Sequence, residues 1–325
     1  MGRRGASRVA LLAALAAGGA LVAMGLPGTA GAARIDSVNG RPLPAASAPR
    51  AAVKATADPF VVMAAGDIST RCGASAGWAC PAERTARLVE AADPTFVLPL
   101  GDNQYDYGTL GSYERFYDTT WGRFKSITRP VPGNHESYDP AGSTSGYRDY
   151  FGDRATPDGT TYYSYDRGDW HFVALDSNLS MADISEQNAW LENDLSNNSR
   201  DCVLAYWHHP QFSSGSHGLN PLSRGVWRTL YAHHADLILN GHDHLYERFA
   251  PQDPSGDADP EGIREFVVGT GGATLRDFVR IVDNSQVRRE RVYGVLKLTL
   301  SDSGYQWGFV RDNGSVTDQG TANCH

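Results

Sequence analysis

Aspartate, asparagine and histidine residues recur at the ends of apolar runs in this sequence. The set comprises Asp67, Asp102, Asn134 with His135, His208 with His209, and His242 with His244. Carboxylate and imidazole groups of this kind are suitable ligands for first-row metals such as Fe, Mn and Zn. Any one of them alone is better explained as a helix cap, a turn former or a satisfied polar residue. However, the motifs GD (twice), GNHE, HHP and GHDH each follow a strand candidate, and this coincidence favours a site for two metals that share a carboxylate.

Four apolar runs of strand length lead into these motifs. They are PFVVMAAGD (59–67), TFVLPLGD (95–102), CVLAYWHH (202–209) and ADLILNGHDH (235–244). Segments with apolar residues at helical spacing lie at 81–93, 183–197 and 223–234. Apolar strands that alternate with helices are typical of α/β layering, in which ligands gather at the carboxyl ends of the strands.

The other strand candidates indicate mixed sheets. Residues 160–177 alternate in polarity around a turn at 166–169, as a hairpin does, and 264–272, 292–301 and 305–312 also have strand patterns. The predicted fold class is α/β, with two mixed β-sheets packed face to face and flanked by helices. GTGGA (269–273) lacks the lysine of a phosphate-binding P-loop and is predicted to form a tight turn near the metal site.

The spacing of the paired histidines predicts which rings share a site. If the strands continue through the motifs, His242 and His244 face the same side and each can serve one metal. His208 and His209 then face opposite sides, so only one of these two rings can point into the site.

The ordered motifs GD, GDNQY, GNHE, HHP and GHDH resemble those of the metallophosphoesterase (calcineurin-like) superfamily, and in detail its purple acid phosphatase branch, over roughly residues 58–272. Many metallophosphoesterases have a His or Asp ligand two residues after the first Asp, where this sequence has Ser69. The purple acid phosphatase pattern GDxxY supplies a tyrosine instead, and Tyr105 matches it. The missing ligand and its replacement therefore occur together.

The resemblance implies a set of metal ligands and two catalytic histidines. One metal would be held by Asp67, Asp102, Tyr105 and His244, and a second by Asp102, Asn134, His208 and His242. The choice of His208 over His209 follows the family spacing HxP. The expected cofactors are two metal ions, Fe(III) with Fe, Zn or Mn, because a phenolate suits trivalent iron. His135 and His217 match family histidines near the phosphate ester, although a position in a solvent-exposed loop also fits His217.

Two cations a few ångström apart neutralise phosphate oxygens, lower the pKa of a bound water and align it for in-line attack. The function expected from the resemblance is a phosphomonoesterase that acts under mildly acidic conditions. A phosphodiesterase or nucleotidase on the same scaffold is the alternative, and loops 137–160 and 211–222 would determine access. A metal-stabilised binding module without catalysis is the alternative from another class.

The N-terminal residues have the pattern of an export signal. A basic start is followed by an apolar run at 9–26 and a small-residue cleavage pattern, which predicts a signal peptide at 1–32. A retained membrane anchor is the alternative, and Arg3-Arg4 is a weak indication of twin-arginine export. Residues 33–57 are predicted to be an Ala/Pro-rich flexible linker, and 58–325 the catalytic domain. The protein is therefore expected to be secreted or held at the cell surface.

The charge and the cysteine content agree with an exported enzyme that acts on small molecules. Removal of residues 1–32 takes away three arginines and leaves 26 basic against 37 acidic residues, or about −11, which makes nucleic acid a poor partner. The expected partner is a small phosphate ester, no membrane span is expected after signal removal, and protein partners are undefined. Four cysteines in an exported chain predict disulfides, with Cys72–Cys80 and Cys202–Cys324 as the hypothetical pairing.

Overall fold

The structure, a computed structural model, describes residues 58–325 and two short strands, Ser37–Val38 and Arg41–Pro42. The chain divides into two compact units, residues 1–54 and 55–325. In the first unit the two short strands, β1 and β2, pair antiparallel within the segment predicted as a linker. The predicted signal peptide and the rest of the predicted linker lie outside the described residues.

The second unit contains twelve strands and six α-helices among its described residues. The strands are β3 (Phe60–Ala65), β4 (Phe96–Pro99), β5 (Tyr163–Arg167), β6 (Trp170–Ala174), β7 (Cys202–Tyr206), β8 (Leu237–Asn240), β9 (Tyr246–Phe249), β10 (Arg264–Val268), β11 (Ser285–Arg289), β12 (Gly294–Ser301), β13 (Gly304–Arg311) and β14 (Val316–Asn323). The α-helices are α1 (Pro81–Ala92), α2 (Leu110–Ser112), α3 (Asn134–Ser137), α4 (Ser145–Phe151), α5 (Glu186–Asn197) and α6 (Arg224–Ala232). A π-helical turn covers Tyr113–Tyr117, and 3₁₀ segments cover Ala74–Ala79, Trp121–Ile127, Gly152–Arg154 and Pro221–Ser223.

The strands form two mixed sheets, as predicted. The order in the seven-stranded sheet is β11-β9-β10-β8-β7-β6-β5, and in the five-stranded sheet it is β14-β13-β12-β3-β4. Strands β6, β7, β8 and β10 run parallel, as do β3 and β4. The carboxyl ends of β3, β4, β7 and β8, which precede the polar motifs, therefore bring these motifs to one edge of the sandwich.

Aromatic side chains fill the space between the two sheets. The rings of Tyr246 on β9 and Phe309 on β13 stack with centroids 4.0 Å apart. Trp170 is fully buried on β6 and donates its indole N–H to the carbonyl of Ser301, on β12, at 2.8 Å. These contacts join the two sheets directly, because β6 and β9 belong to one sheet and β12 and β13 to the other. Buried aromatic surface of this extent is a major source of stability in such a core.

A second apolar layer covers the outer face of the seven-stranded sheet. Leu191 and Leu195 of α5 and Trp227 and Leu230 of α6 are buried in one cluster with residues of β6, β7 and β8. Helix α5 begins at Glu186 rather than at residue 183, because the Ser185 hydroxyl accepts from the Asn188 N–H and caps it there.

In the second unit, three strands were not predicted from the sequence, namely β9, β11 and β14. Strand β14 has the sequence VTDQGTAN, and Asp318 is its one buried residue. No apolar alternation marks it, because it lies at the edge of its sheet and most of its side chains face solvent or are half-buried.

The predicted cysteine pairing is confirmed. Cys72 is bonded to Cys80, and Cys202 at the start of β7 is bonded to Cys324. Within the part of the chain that the structure describes, no helix is long and apolar enough to cross a membrane.

Candidate metal centre

The candidate ligands lie in loops that leave the carboxyl ends of the strands. Asp67, Asp102 and His242 adopt left-handed backbone conformations, with φ of 58°, 47° and 70°. Such values are uncommon for residues other than glycine and are maintained only where the surroundings impose them. The Asp67 carboxylate accepts the His242 N–H at 2.8 Å, which joins the loops after β3 and β8. Gly133 approaches so closely that an added Cβ would lie 2.2 Å from Asp102 Oδ1.

The first group of predicted ligands surrounds the phenol oxygen of Tyr105. This oxygen lies 2.7 Å from Asp67 Oδ1, 3.0 Å from Asp102 Oδ2 and 3.0 Å from His244 Nε2. His244 Nδ1 lies 2.6 Å from the carbonyl oxygen of Thr274 and donates to it, so Nε2 carries the free lone pair when the ring is neutral. All four members of this group are buried.

The second group surrounds His208 Nε2. This nitrogen lies 3.3 Å from Asp102 Oδ2, 3.2 Å from Asn134 Oδ1 and 3.2 Å from His242 Nδ1. His208 Nδ1 donates to the carbonyl oxygen of Leu100 at 2.9 Å. The two groups share Asp102, so all seven predicted ligand side chains are brought together, as two overlapping sets of four.

The chemistry of these atoms fits bound cations. Around His208 Nε2, a carboxylate oxygen, an amide oxygen and an imidazole nitrogen converge, and the carboxylate and amide oxygens can only accept hydrogen bonds. Because the other nitrogen of His208 already donates to a carbonyl, Nε2 of the neutral ring carries the lone pair that a metal ligand needs. Asp67, Asp102 and His208 each place a potential ligand atom within 4.8 Å of the others. Oxygen and imidazole donors suit Fe, Mn and Zn.

The pKa values of three ligand side chains are shifted because these groups lie so close together. Burial alone raises the pKa of Asp102, but the charge and hydrogen bond of His208 outweigh it and lower this pKa below the usual range. Burial lowers the pKa of His208, but the Asp102 charge raises it to about 9. Burial and the charges of Asp67 and Asp102 raise the pKa of Tyr105. Tyr105 and His208 therefore each carry a proton at neutral pH when no cation is bound, and metal binding must displace both protons.

The strand argument for His208 and His209 is wrong. Strand β7 ends at Tyr206, so His208 and His209 lie in the following loop rather than on a strand. His208 faces Asn134 and Asp102, whereas His209 Nδ1 lies 2.7 Å from the Ser177 hydroxyl. The side chains of His208, His209 and His242 also lie close enough together to hold a metal ion. However, one ring nitrogen of His209 is engaged by the Ser177 hydroxyl.

The strand argument for His242 and His244 is likewise wrong. Strand β8 ends at Asn240, and the left-handed backbone of His242 starts a turn. The turn sends His242 towards His208 and His244 towards Tyr105. The two rings thus join different groups through turn geometry and not through strand alternation.

The first predicted catalytic histidine, His135, lies beside the shared carboxylate. Its backbone N–H donates to Asp102 Oδ1 at 2.8 Å, and its Nδ1 donates to the carbonyl oxygen of Asp106 at 2.6 Å. Its Nε2 is 3.8 Å from Asp102 Oδ2, beyond hydrogen-bond distance. This nitrogen is therefore free to contact a ligand.

The second predicted catalytic histidine, His217, also lies at the centre. Its ring stacks on His242 with centroids 3.9 Å apart, and its Nδ1 lies 2.9 Å from Asp243 Oδ1. The sequence analysis did not identify Asp243, which accepts from both the ring and the backbone N–H of His217 and from Ser213. Its place in the sequence, between the predicted ligands His242 and His244, could have identified Asp243 as a residue of the site.

Two neighbouring acidic residues are structural. Glu136 is buried and accepts from the backbone N–H groups of Gly133 and Gln104, so it caps α3 and joins two motifs. Glu247 accepts from Ser214, while the adjacent Arg248 pairs with Asp318. The GTGG turn packs on the first motif, since the Gly271 N–H donates to Gly66 O and the Ala273 N–H to Asp67 O.

Comparison with known proteins identifies the family. Residues 60–246 match the model of the calcineurin-like phosphoesterase family. Purple acid phosphatase 15 of Arabidopsis thaliana is 31% identical over 215 residues, which cover 55% of this chain and 40% of that protein. Probable inactive purple acid phosphatase 24 of the same plant is 27% identical over 252 residues, which cover 66% and 40%. The chain thus spans less than half the length of these curated relatives.

A solved structure has the same fold. The purple acid phosphatase from yellow lupin (Lupinus luteus) seeds superimposes with a TM-score of 0.68 at 20% identity, over 82% of this chain and 54% of that one. The family match covers more than half of the chain, and the sequence relatives are purple acid phosphatases. The chain therefore belongs to the calcineurin-like phosphoesterase family, and within it resembles the purple acid phosphatases.

Proposed function

We propose that this protein is an exported phosphomonoesterase with a dinuclear metal centre. The observation that carries the proposal is the pair of overlapping ligand sets that share Asp102, with acceptor atoms converging on Tyr105 Oη and on His208 Nε2. A single structural metal would need only one such set.

Asp67, Asp102, Tyr105 and His244 would hold one cation, and Asp102, Asn134, His208 and His242 the other. When bound, the two cations neutralise phosphate charge and make water a better nucleophile. We propose Fe(III) for the set that contains Tyr105, since a phenolate is a hard, anionic ligand, and Fe, Zn or Mn for the other.

His135 and His217 are proposed to act on the ester itself. Each ring is oriented by its Nδ1, His135 through the Asp106 carbonyl and His217 through the Asp243 carboxylate. When protonated, each Nε2 can donate a hydrogen bond to a phosphate oxygen or a proton to the leaving oxygen. Both side chains are partly exposed, at 26% and 34%, so a substrate can reach them.

Export is the proposed location because both disulfides require an oxidising compartment. We infer a secreted or cell-surface protein that meets phosphate esters outside the cell. The predicted signal peptide at residues 1–32 would provide the route.

The test compares initial rates on 4-nitrophenyl phosphate and on bis(4-nitrophenyl) phosphate for the metal-loaded protein. Preference for the monoester, lost in Asp102→Ala, is the expected result. Preference for the diester would instead identify a phosphodiesterase. Because some relatives are named as probable inactive forms, a third outcome is informative: tight binding of two metals without turnover of either ester would support a binding module.

A further inference from the structure

Several large apolar side chains are exposed on one side of the metal centre. Tyr138, Leu179, Ile184 and Leu222 expose 53%, 46%, 97% and 76% of their surface. We call these four residues the apolar rim. Exposed apolar side chains are common singly, but a group around a cavity commonly marks a binding site.

The apolar rim borders three cavities that meet at Leu179. The largest, about 620 Å³, is lined by Tyr138 and Leu179. A second, about 330 Å³, is lined by Leu179 and Leu222, and a third, about 380 Å³, by Leu179 and Ile184. Leu179 lies in the loop that joins β6 to α5. It is therefore the apolar side chain that all three cavities share.

Two of the three cavities adjoin the metal centre. Asn134, which faces His208 Nε2, lines the largest cavity, and His209 lines both this one and the second. The His209 ring is 4.4 Å from the His242 ring, measured between centroids. A group attached to a phosphate at the centre can thus extend directly into this space.

The charged groups in the largest cavity do not favour an anionic leaving group. Arg148 lines it and donates its Nε–H to the Thr144 hydroxyl at 3.1 Å. Glu186 and the buried Asp176 line it as well. One cation is thus opposed by two carboxyl groups. Hydroxyl side chains line the cavity too, but those of Ser137, Thr160 and Thr161 already donate within the protein, to Asn134 O, Tyr162 O and Asp176 Oδ2. The apolar rim is the part of the lining that has no such internal partners to lose, and it is the surface we assign to recognition.

We propose that the apolar rim binds the leaving group of the substrate, and that the preferred substrates are phosphate monoesters of large apolar alcohols rather than of small polar ones. This inference rests on the proposed phosphomonoesterase function and adds a substrate class to it. Leu179 is the specificity-determining residue.

The size of the effect follows from apolar burial. Each buried methylene group favours binding by about 0.8 kcal/mol, so four additional groups would give roughly 200-fold if they were fully buried. Because the cavities are open to solvent, we expect about a tenfold preference in kcat/KM for hexyl phosphate over ethyl phosphate. These two esters differ in chain length and not in the reactivity of the leaving alcohol.

The test measures kcat/KM for hexyl and ethyl phosphate in the wild-type protein, in Leu179→Ser and in Val316→Ser. Val316 on β14 is the matched control, since it is an aliphatic residue with 49% exposure that lines none of the three cavities. We expect Leu179→Ser to reduce the hexyl preference about fivefold and Val316→Ser to leave it unchanged. The readout is the ratio of the two kcat/KM values within each protein, so a general loss of activity in either variant does not alter the comparison.

Two outcomes would overturn the inference. One is equal kcat/KM for both esters in the wild-type protein, and the other is an equal change of the preference in both variants. In either case, turnover of ethyl phosphate would leave the phosphomonoesterase function intact. Absence of turnover on these esters and on 4-nitrophenyl phosphate would overturn the proposed function and the inference together.

Discussion

The ring of His217 stacks on the ring of His242, with centroids 3.9 Å apart and an interplanar angle of 29°. Asp243, the residue next to His242, holds this arrangement through two contacts with His217, one to the backbone N–H and one to Nδ1. The loop that carries His217 and the turn after β8 are therefore fixed to each other at the metal centre.

Asp243 is expected to act through His217. Since positioned acid–base groups contribute roughly 100-fold or more to rate, His217→Ala should lower kcat on 4-nitrophenyl phosphate by about 100-fold. Asp243→Asn should lower it about tenfold, because the amide removes the negative charge beside His217 and keeps only one acceptor oxygen, whereas Asp243 accepts from His217 with Oδ1 and from Ser213 with Oδ2. The double variant should resemble His217→Ala alone, with metal content measured in each protein as the control. Additive losses would show that Asp243 acts independently of His217.

Tyr105 is expected to give the protein its colour. Its phenol oxygen lies within 3.0 Å of three other candidate ligands, so Tyr105→Phe removes an anionic ligand from that set. When loaded with Fe(III), the wild-type protein should absorb visible light and Tyr105→Phe should not. Tyr107→Phe is the control, because Tyr107 is close in sequence but 55% exposed. A visible band that survives in Tyr105→Phe would remove Tyr105 from the ligand set.

His171 is expected to make stability depend on pH. Its two ring nitrogens lie 2.7 Å from Asp166 and 2.8 Å from Asp194, and Arg200 also pairs with Asp166. Burial alone lowers the pKa of His171, but the hydrogen bonds to Asp194 and Asp166 outweigh it and raise this pKa above its ordinary value.

Because the folded pKa of His171 is raised, the imidazolium stabilises the protein fully below the unfolded value of about 6.5. This contribution is lost as pH rises through the folded pKa, at about 1.4 kcal/mol for each unit of elevation. Urea unfolding of wild-type and His171→Gln proteins at pH 6 and pH 9 tests it. The difference in free energy of unfolding between wild type and variant should be smaller at pH 9 than at pH 6. A difference that grows with pH would contradict the stabilising role of protonated His171.

The two disulfides should contribute unequally to stability. Cys202 and Cys324 are 122 residues apart, and Cys72 and Cys80 are 8 apart. In the chain-entropy model a loop of about 100 residues gives about 4.7 kcal/mol and one of about 15 residues about 3 kcal/mol. Urea unfolding should therefore show a larger loss when both Cys202 and Cys324 are replaced by serine than when both Cys72 and Cys80 are. The reverse order would mean that strain or residual structure dominates.

Much of the fold could be predicted because its central strands are buried on both faces. Strands β3, β4, β7 and β8 are continuous apolar segments that end at polar motifs, so both the parallel layering and the clustering of the motifs follow from sequence. Strand β14 could not be predicted, since its buried Asp318 is stabilised by Tyr246 and Arg248, which are distant in sequence.

The ligand set was predictable as residue types, whereas its geometry was not. Strand alternation correctly placed His242 and His244 in different ligand groups, but for the wrong reason. The left-handed backbone of His242, which sets the actual geometry, cannot be recognised from a single sequence. The link from Asp243 to His217 depends on how a loop 26 residues away folds back.

The bond between Cys202 and Cys324 also determines how this protein can be immobilised on a surface. Cys202 begins β7 and His208 lies just beyond its other end, about 20 Å away at the rise of an extended chain. His325, the neighbour of Cys324, is therefore tied to the edge of the sheet opposite the metal centre. A linker attached at this position would fix the protein to a bead or electrode with its cavities facing the solution.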